Sequence, residues 1–138
     1  MFDSVSIPFG AKMLFNTVKL RHGVSLDDAE LAIGEMCNVV KAMYGGDNGG
    51  FIAGQVFRFS GLISDAGSLG AARHGVDHIA IVTYWRSFEE HEKSHADELF
   101  KSRFSALAQM CSDSEELGYD MLWQGEAAAE PKIIVPGP

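Results

Sequence analysis

The sequence predicts an α+β domain built from two β-α-β halves, a ferredoxin-like β-α-β-β-α-β sandwich. Strand-like segments beginning at residues 12, 51, 78 and 119 enclose one helix-like segment in each half, and the paired starts lie 39 and 41 residues apart. These strands carry apolar residues on both faces, which a sheet tolerates only when both faces are covered. Right-handed crossovers would set both helices on one face of a four-stranded antiparallel sheet, leaving the other face bare. A second copy of the chain is the expected cover, because a bare face this apolar would be a large sticky patch.

Each element has a local reason. In residues 11–22, Leu14, Asn16, Val18 and Leu20 alternate with Met13, Phe15 and Thr17, the period of a strand. Ser25 is a helix N-cap followed by Asp27 and Asp28 in the first turn, where the helix dipole favours negative charge. Ala29, Ile33, Met36, Val40 and Met43 then form one apolar stripe that ends at Gly45 and Gly46. The glycine-rich run 45–50 reads as a turn, since it follows a helix and lacks the Lys-Ser/Thr of a phosphate loop. Residues 51–60 form the second strand, and 61–77, with four glycines and His74, a long loop of the kind that can serve as a lid. His78–Trp85 is the clearest strand, β-branched and aromatic. Ser87 and Glu90 have capping-box spacing for a second helix from Phe88 toward Ser112, with Ala96, Phe100, Phe104, Leu107 and Cys111 on its stripe. Tyr119–Gly125 is the fourth strand, and Lys132–Val135, between Pro131 and Pro136, a short edge strand in the tail.

Length and composition suit one domain over residues 1–138, with an arm at 1–10 and a tail at 126–138. The formal charge of -8 repels phosphate backbones and anionic lipid, so no nucleic-acid or membrane partner is expected. No apolar run approaches a membrane span and no signal-like segment opens the chain, which points to the cytoplasm. Cys37 and Cys111 have no metal-ligand spacing and no basic neighbour in sequence, so they are expected to be small hydrophobes rather than nucleophiles.

In Thr83-Tyr84-Trp85-Arg86-Ser87-Phe88-Glu89-Glu90 a strand ends in Trp, Ser follows one residue later, and an acidic amphipathic helix begins. The segment resembles the antibiotic biosynthesis monooxygenase group of dimeric α+β barrels over roughly residues 78–125; elsewhere only the order of elements agrees. That group includes cofactor-independent oxygenases of polycyclic phenols, haem-degrading oxygenases, stress-responsive barrels and proteins of no known activity. The resemblance implies a homodimer with a pocket between sheet and helices in each subunit. It also matches Asn16 to a functional Asn of the haem-degrading and some quinone-forming members. Ser94 and Phe104 stand where haem-degrading members carry Trp and His, so haem chemistry is not expected.

The expected function is binding of a small apolar, phenolic ligand with cofactor-independent oxidation, the alternative being a non-catalytic ligand-binding or stress-responsive barrel. Asn16 would be the polar anchor or, as a buried amide, simply a backbone-bonded structural residue. His78 would be the base, since imidazole exchanges a proton near neutrality. Trp85 and Tyr84 would be walls, with Arg58, Arg86 and Trp123 completing the ligand-facing set. His91 and His95 have the i, i+4 spacing of a metal pair, but a continuous helix turns both away from the Phe100–Phe104–Leu107 stripe. They are therefore expected on a solvated face, and no metal or other cofactor is expected.

Overall fold

The computed structural model describes residues 4–60 and 78–129. The expected loop at 61–77, with His74, and the edge strand at Lys132–Val135 lie outside the described residues. Strand β1 is Lys12–Leu20, helix α1 Leu26–Met43, β2 Phe51–Arg58, β3 His78–Trp85, helix α2 Phe88–Ser94, helix α3 Glu98–Ala108 and β4 Cys111–Asp120. The sheet is antiparallel in the order β2-β3-β1-β4, so β1 is bonded along both edges.

Two expectations are corrected. The second helix is two helices: Asp97 caps a new one, its carboxylate accepting from the amides of Leu99 (2.9 Å) and Phe100 (3.3 Å). The fourth strand is Cys111–Asp120 rather than 119–125, because pairing with β1 from Lys12 to Leu20 outweighs the low strand propensity of its polar sequence. Cys111 consequently opens β4, its thiol donating to the Leu107 carbonyl at 3.1 Å. Burial pushes both cysteine thiols up, with Arg21 opposing the rise at Cys111, so neither favours the thiolate. Trp123, beyond β4, is 80% exposed.

Leu14 and Val18 of β1, Ile79, Ile81 and Trp85 of β3, the α1 stripe and Phe100 and Leu107 of α3 form one core. Met43 is the stripe member that stays outside, at the last residue of the helix. The α1 cap is a full capping box between Ser25 and Asp28. By strand alternation the opposite face carries Met13, Phe15, Phe57, Val82, Tyr84, Leu117 and Tyr119. Phe57, Leu117 and Tyr119 are exposed there.

The start of β2 is tied to the start of α2. The Arg86 amide donates to the Gly50 carbonyl at 2.9 Å, and the Arg86 guanidinium binds both Glu90 and Asp47. Ser87 caps α2 and also donates its hydroxyl to Glu90, so the return bond to the N-cap backbone amide expected of a capping box is replaced by this clamp. Gly50 has φ +80°, and a Cβ there would stand 2.4 Å from Glu90 Cδ. Gly50→Ala should therefore cost about 1–2 kcal/mol or more in denaturant unfolding; an unchanged midpoint would refute the close approach. The hydrogen bond from Arg86 holds the Glu90 carboxyl below its ordinary range, with burial opposing and Ser87 adding to the fall. A carboxyl depressed in the folded state stabilises fully above its unfolded value and loses that contribution as pH falls through the folded one. Glu90→Gln should accordingly lower the thermal midpoint at pH 7, with the gap to the parent narrowing as pH falls through the depressed carboxyl value.

Candidate functional site

A cavity of about 270 Å³ lies between the sheet and the helices. Its sheet wall carries Asn16 and Val18 of β1, Ile81, Thr83 and Trp85 of β3, and Glu116 of β4. Its helix wall carries Met36 and Val40 of α1, His91 and Ser94 of α2, the α2 cap His95, and Phe100, Phe104 and Leu107 of α3. The lining is mostly apolar, with Asn16, His91, His95 and Glu116 meeting one another at a polar end.

Register explains that polar end. Asn16 is the cross-strand partner of Ile81 on one side and of Glu116 on the other, so its side chain and the Glu116 carboxylate share the helix-covered face. Asn16 Nδ2 donates to the Ile81 carbonyl at 3.3 Å, and its amide also stabilises the Glu116 carboxylate. The structural and the site-facing readings of Asn16 thus meet in one group, its Nδ2 serving both the Ile81 carbonyl and the Glu116 carboxylate.

The two histidines are where the sequence reading is overturned. Because α2 ends at Ser94 and α3 restarts at Asp97, the phase of a single long helix does not apply, and the pair faces the cavity. His91 is only 8% exposed and packs edge-on against Trp85, with ring centroids 5.1 Å apart. His95 is half-buried, 4.8 Å from the Phe100 ring. The Nε2 atoms of His91 and His95 are 3.0 Å apart, and Glu116 Oε1 lies 3.4 Å from the first and 3.9 Å from the second. Burial, then the neighbouring His91, pulls the His95 pKa down, with Glu116 and Glu92 opposing. Burial raises the Glu116 carboxyl, but a hydrogen bond and charge from His91, with help from His95 and Asn16, leave it below its ordinary range.

Trp85 is the other expected residue at the cavity, nearly fully buried, its indole N–H donating to Thr83 Oγ1 at 2.9 Å. The remaining expected residues lie elsewhere. His78 stacks on Phe59 at 4.6 Å and, with Arg58, lines a second cleft beside the start of α1. Tyr84 lies on the opposite sheet face, where its hydroxyl donates to Gln55 at 3.3 Å. Arg86 is committed to the Glu90–Asp47 clamp, and Trp123 is exposed past β4. Sequence reasoning missed Glu116, which sits in a stretch too polar to read as a strand. It also set aside His91 and His95, although Asp97-Glu98 carried an N-cap signal that would have broken the helix.

No protein-family model matches the chain, and no curated protein matches it by sequence. Solved structures do. SnoaB, a cofactor-independent oxygenase from Streptomyces nogalater, is 13% identical with a TM-score of 0.59, the match covering 88% of this chain and 99% of that one. A dimeric ferredoxin-like protein of unknown function from Thermobifida fusca is 13% identical at TM-score 0.60, covering 86% and 100%. A protein described as an antibiotic biosynthesis monooxygenase is 10% identical at TM-score 0.56, covering 80% and 98%. At such identities the likeness speaks for architecture: the chain has the ferredoxin-like α+β fold of the antibiotic biosynthesis monooxygenase-like proteins.

Proposed function

We propose that the chain binds a small, compact aromatic ligand carrying a hydroxyl group, and oxidises it with dioxygen as the sole oxidant. The observation that carries this reading is the cavity itself, whose apolar wall of Val18, Ile81, Trp85, Phe100 and Phe104 ends in the polar group Asn16–His91–His95–Glu116. An aromatic ring would lie on the apolar wall, directing its hydroxyl to the polar end. There the Glu116 carboxylate accepts a hydrogen bond from the hydroxyl, and the His91 imidazole held beside that carboxylate takes the proton. Deprotonation enriches the ring in electrons, and desolvation and orientation do the rest. In an anthrone-type substrate the activated CH₂ becomes a carbonyl, one atom of dioxygen entering the product and the other leaving as water. The base in this reading is the His91–Glu116 pair; His78 serves no role in it, being in another cleft.

1,8-Dihydroxyanthrone and 1-naphthol should raise the thermal midpoint of metal-free protein, and naphthalene, which lacks the hydroxyl, should bind about tenfold more weakly than 1-naphthol. Asn16→Ala should weaken the hydroxyl preference, and Phe104→Asp on the half-exposed rim should weaken all three ligands. No shift with any phenol would sink the reading, whereas stabilisation without oxygen uptake would replace it with a non-catalytic binding barrel.

The open sheet face supports a homodimer, since Phe57, Leu117 and Tyr119 are exposed on it and a second copy would bury them. Light scattering should return twice the 15.0 kDa of one chain, and Leu117→Asp should halve that mass. A monomeric parent would defeat the pairing.

A further inference from the structure

We propose that His91, His95 and Glu116 hold one divalent transition-metal ion, zinc or iron(II) in class, with its open coordination positions facing the cavity. The three donor atoms come from two elements, α2 with its cap and β4, and all lie within 4.8 Å of one another. With separations of 3.0, 3.4 and 3.9 Å they are equidistant, at about 2.0 Å, from a common centre, which is the length of a metal–imidazole or metal–carboxylate bond.

The orientation of the donors is already set by packing. The His91 ring is held edge-on by Trp85, the His95 ring lies against Phe100, and the Glu116 carboxylate is engaged by Asn16. Hydrogen bonding alone does not serve this arrangement well. Each neutral Nε2 carries either one proton or one lone pair, yet His91 Nε2 meets both His95 Nε2 and Glu116 Oε1. A cation at the centre satisfies all three lone pairs at once.

Two imidazoles and one carboxylate favour a borderline metal over magnesium or calcium, which take all-oxygen sets. Three protein ligands also leave at least one position open, the arrangement of a reactive site rather than a closed structural one. The three donors line the cavity together with Asn16 and Thr83, so an oxygen donor on a cavity ligand could fill that position. The proposal rests on the three donor atoms and not on the organic ligand, and it departs from the sequence expectation of no metal.

The test is calorimetric titration of chelator-treated full-length protein with zinc chloride, paralleled by the visible spectrum with cobalt(II). One ion per chain is expected, with magnesium not competing. His95→Gln and Glu116→Gln, both at incompletely buried positions, should each weaken zinc binding about 100-fold or more, and the exposed His22→Gln should leave it unchanged. Imidazole ¹⁵N spectra of the parent decide the matter even if a variant fails to fold: zinc should move the His91 and His95 resonances and leave those of His22 and His78 in place. No stoichiometric binding, or binding equally strong in both ligand variants, would overturn the proposal, as would shifts confined to His22 or His78. Because the phenol assays use metal-free protein, a failure there leaves the zinc result standing, and the reverse also holds.

Discussion

Strand β1 sits inside the sheet, and its two hydrogen-bonded edges fix both the core and the cavity. It is hydrogen-bonded to β3 along one edge and to β4 along the other, over nearly its whole length. A strand held on both sides has no freedom to slip, because a one-residue shift would carry Leu14 and Val18 out of the core and Met13 and Phe15 into it. The same register places Asn16 level with both Ile81 and Glu116. Core packing and the polar end of the cavity are thus two consequences of one pairing.

The second determinant is the break at residues 95–97. A helix running unbroken from Phe88 would keep one phase, and burying Phe100 and Leu107 would force the histidines outward. Asp97 ends that obligation by satisfying the first amides of α3, so α2 can choose its own face. The Ser94 hydroxyl, nearly fully buried, donates to the His91 carbonyl at 2.6 Å and helps finish the short helix. Gly118 completes the fit, since a Cβ there would stand 2.9 Å from the Phe88 ring that α2 lays over β4.

Burying imidazoles beside a carboxylate is costly unless they are paired, and unpaired polar groups in a dry site cost about 1–3 kcal/mol each. Here Glu116 draws on both His91 and Asn16, which leaves the close approach of the His91 and His95 Nε2 atoms as the contact that hydrogen bonding serves poorly. Fold likeness at 10–13% identity does not carry such a cluster with it. The architecture survives wherever the apolar alternation survives, whereas a site depends on a few side chains whose replacement leaves the fold intact.

The periodic part of the fold was legible along the chain. The alternation in β1, β2 and β3, the Ser25 cap, the α1 stripe and the turn at 45–50 are local signals, and each appears where its residues indicate. Asn16 and Trp85 were legible for the same reason, as a polar residue within an apolar face and an aromatic at a strand end. The remaining features arise from contacts between segments. β4 is a strand because β1 offers it a free edge, not because Cys111–Asp120 has strand propensity. His91, His95 and Glu116 meet because two helices replace one and because a pairing register, invisible along the chain, brings β4 under α2. Propensity and periodicity report how a segment contacts its own neighbours. Convergence of groups some twenty residues apart is set by packing that no single segment encodes.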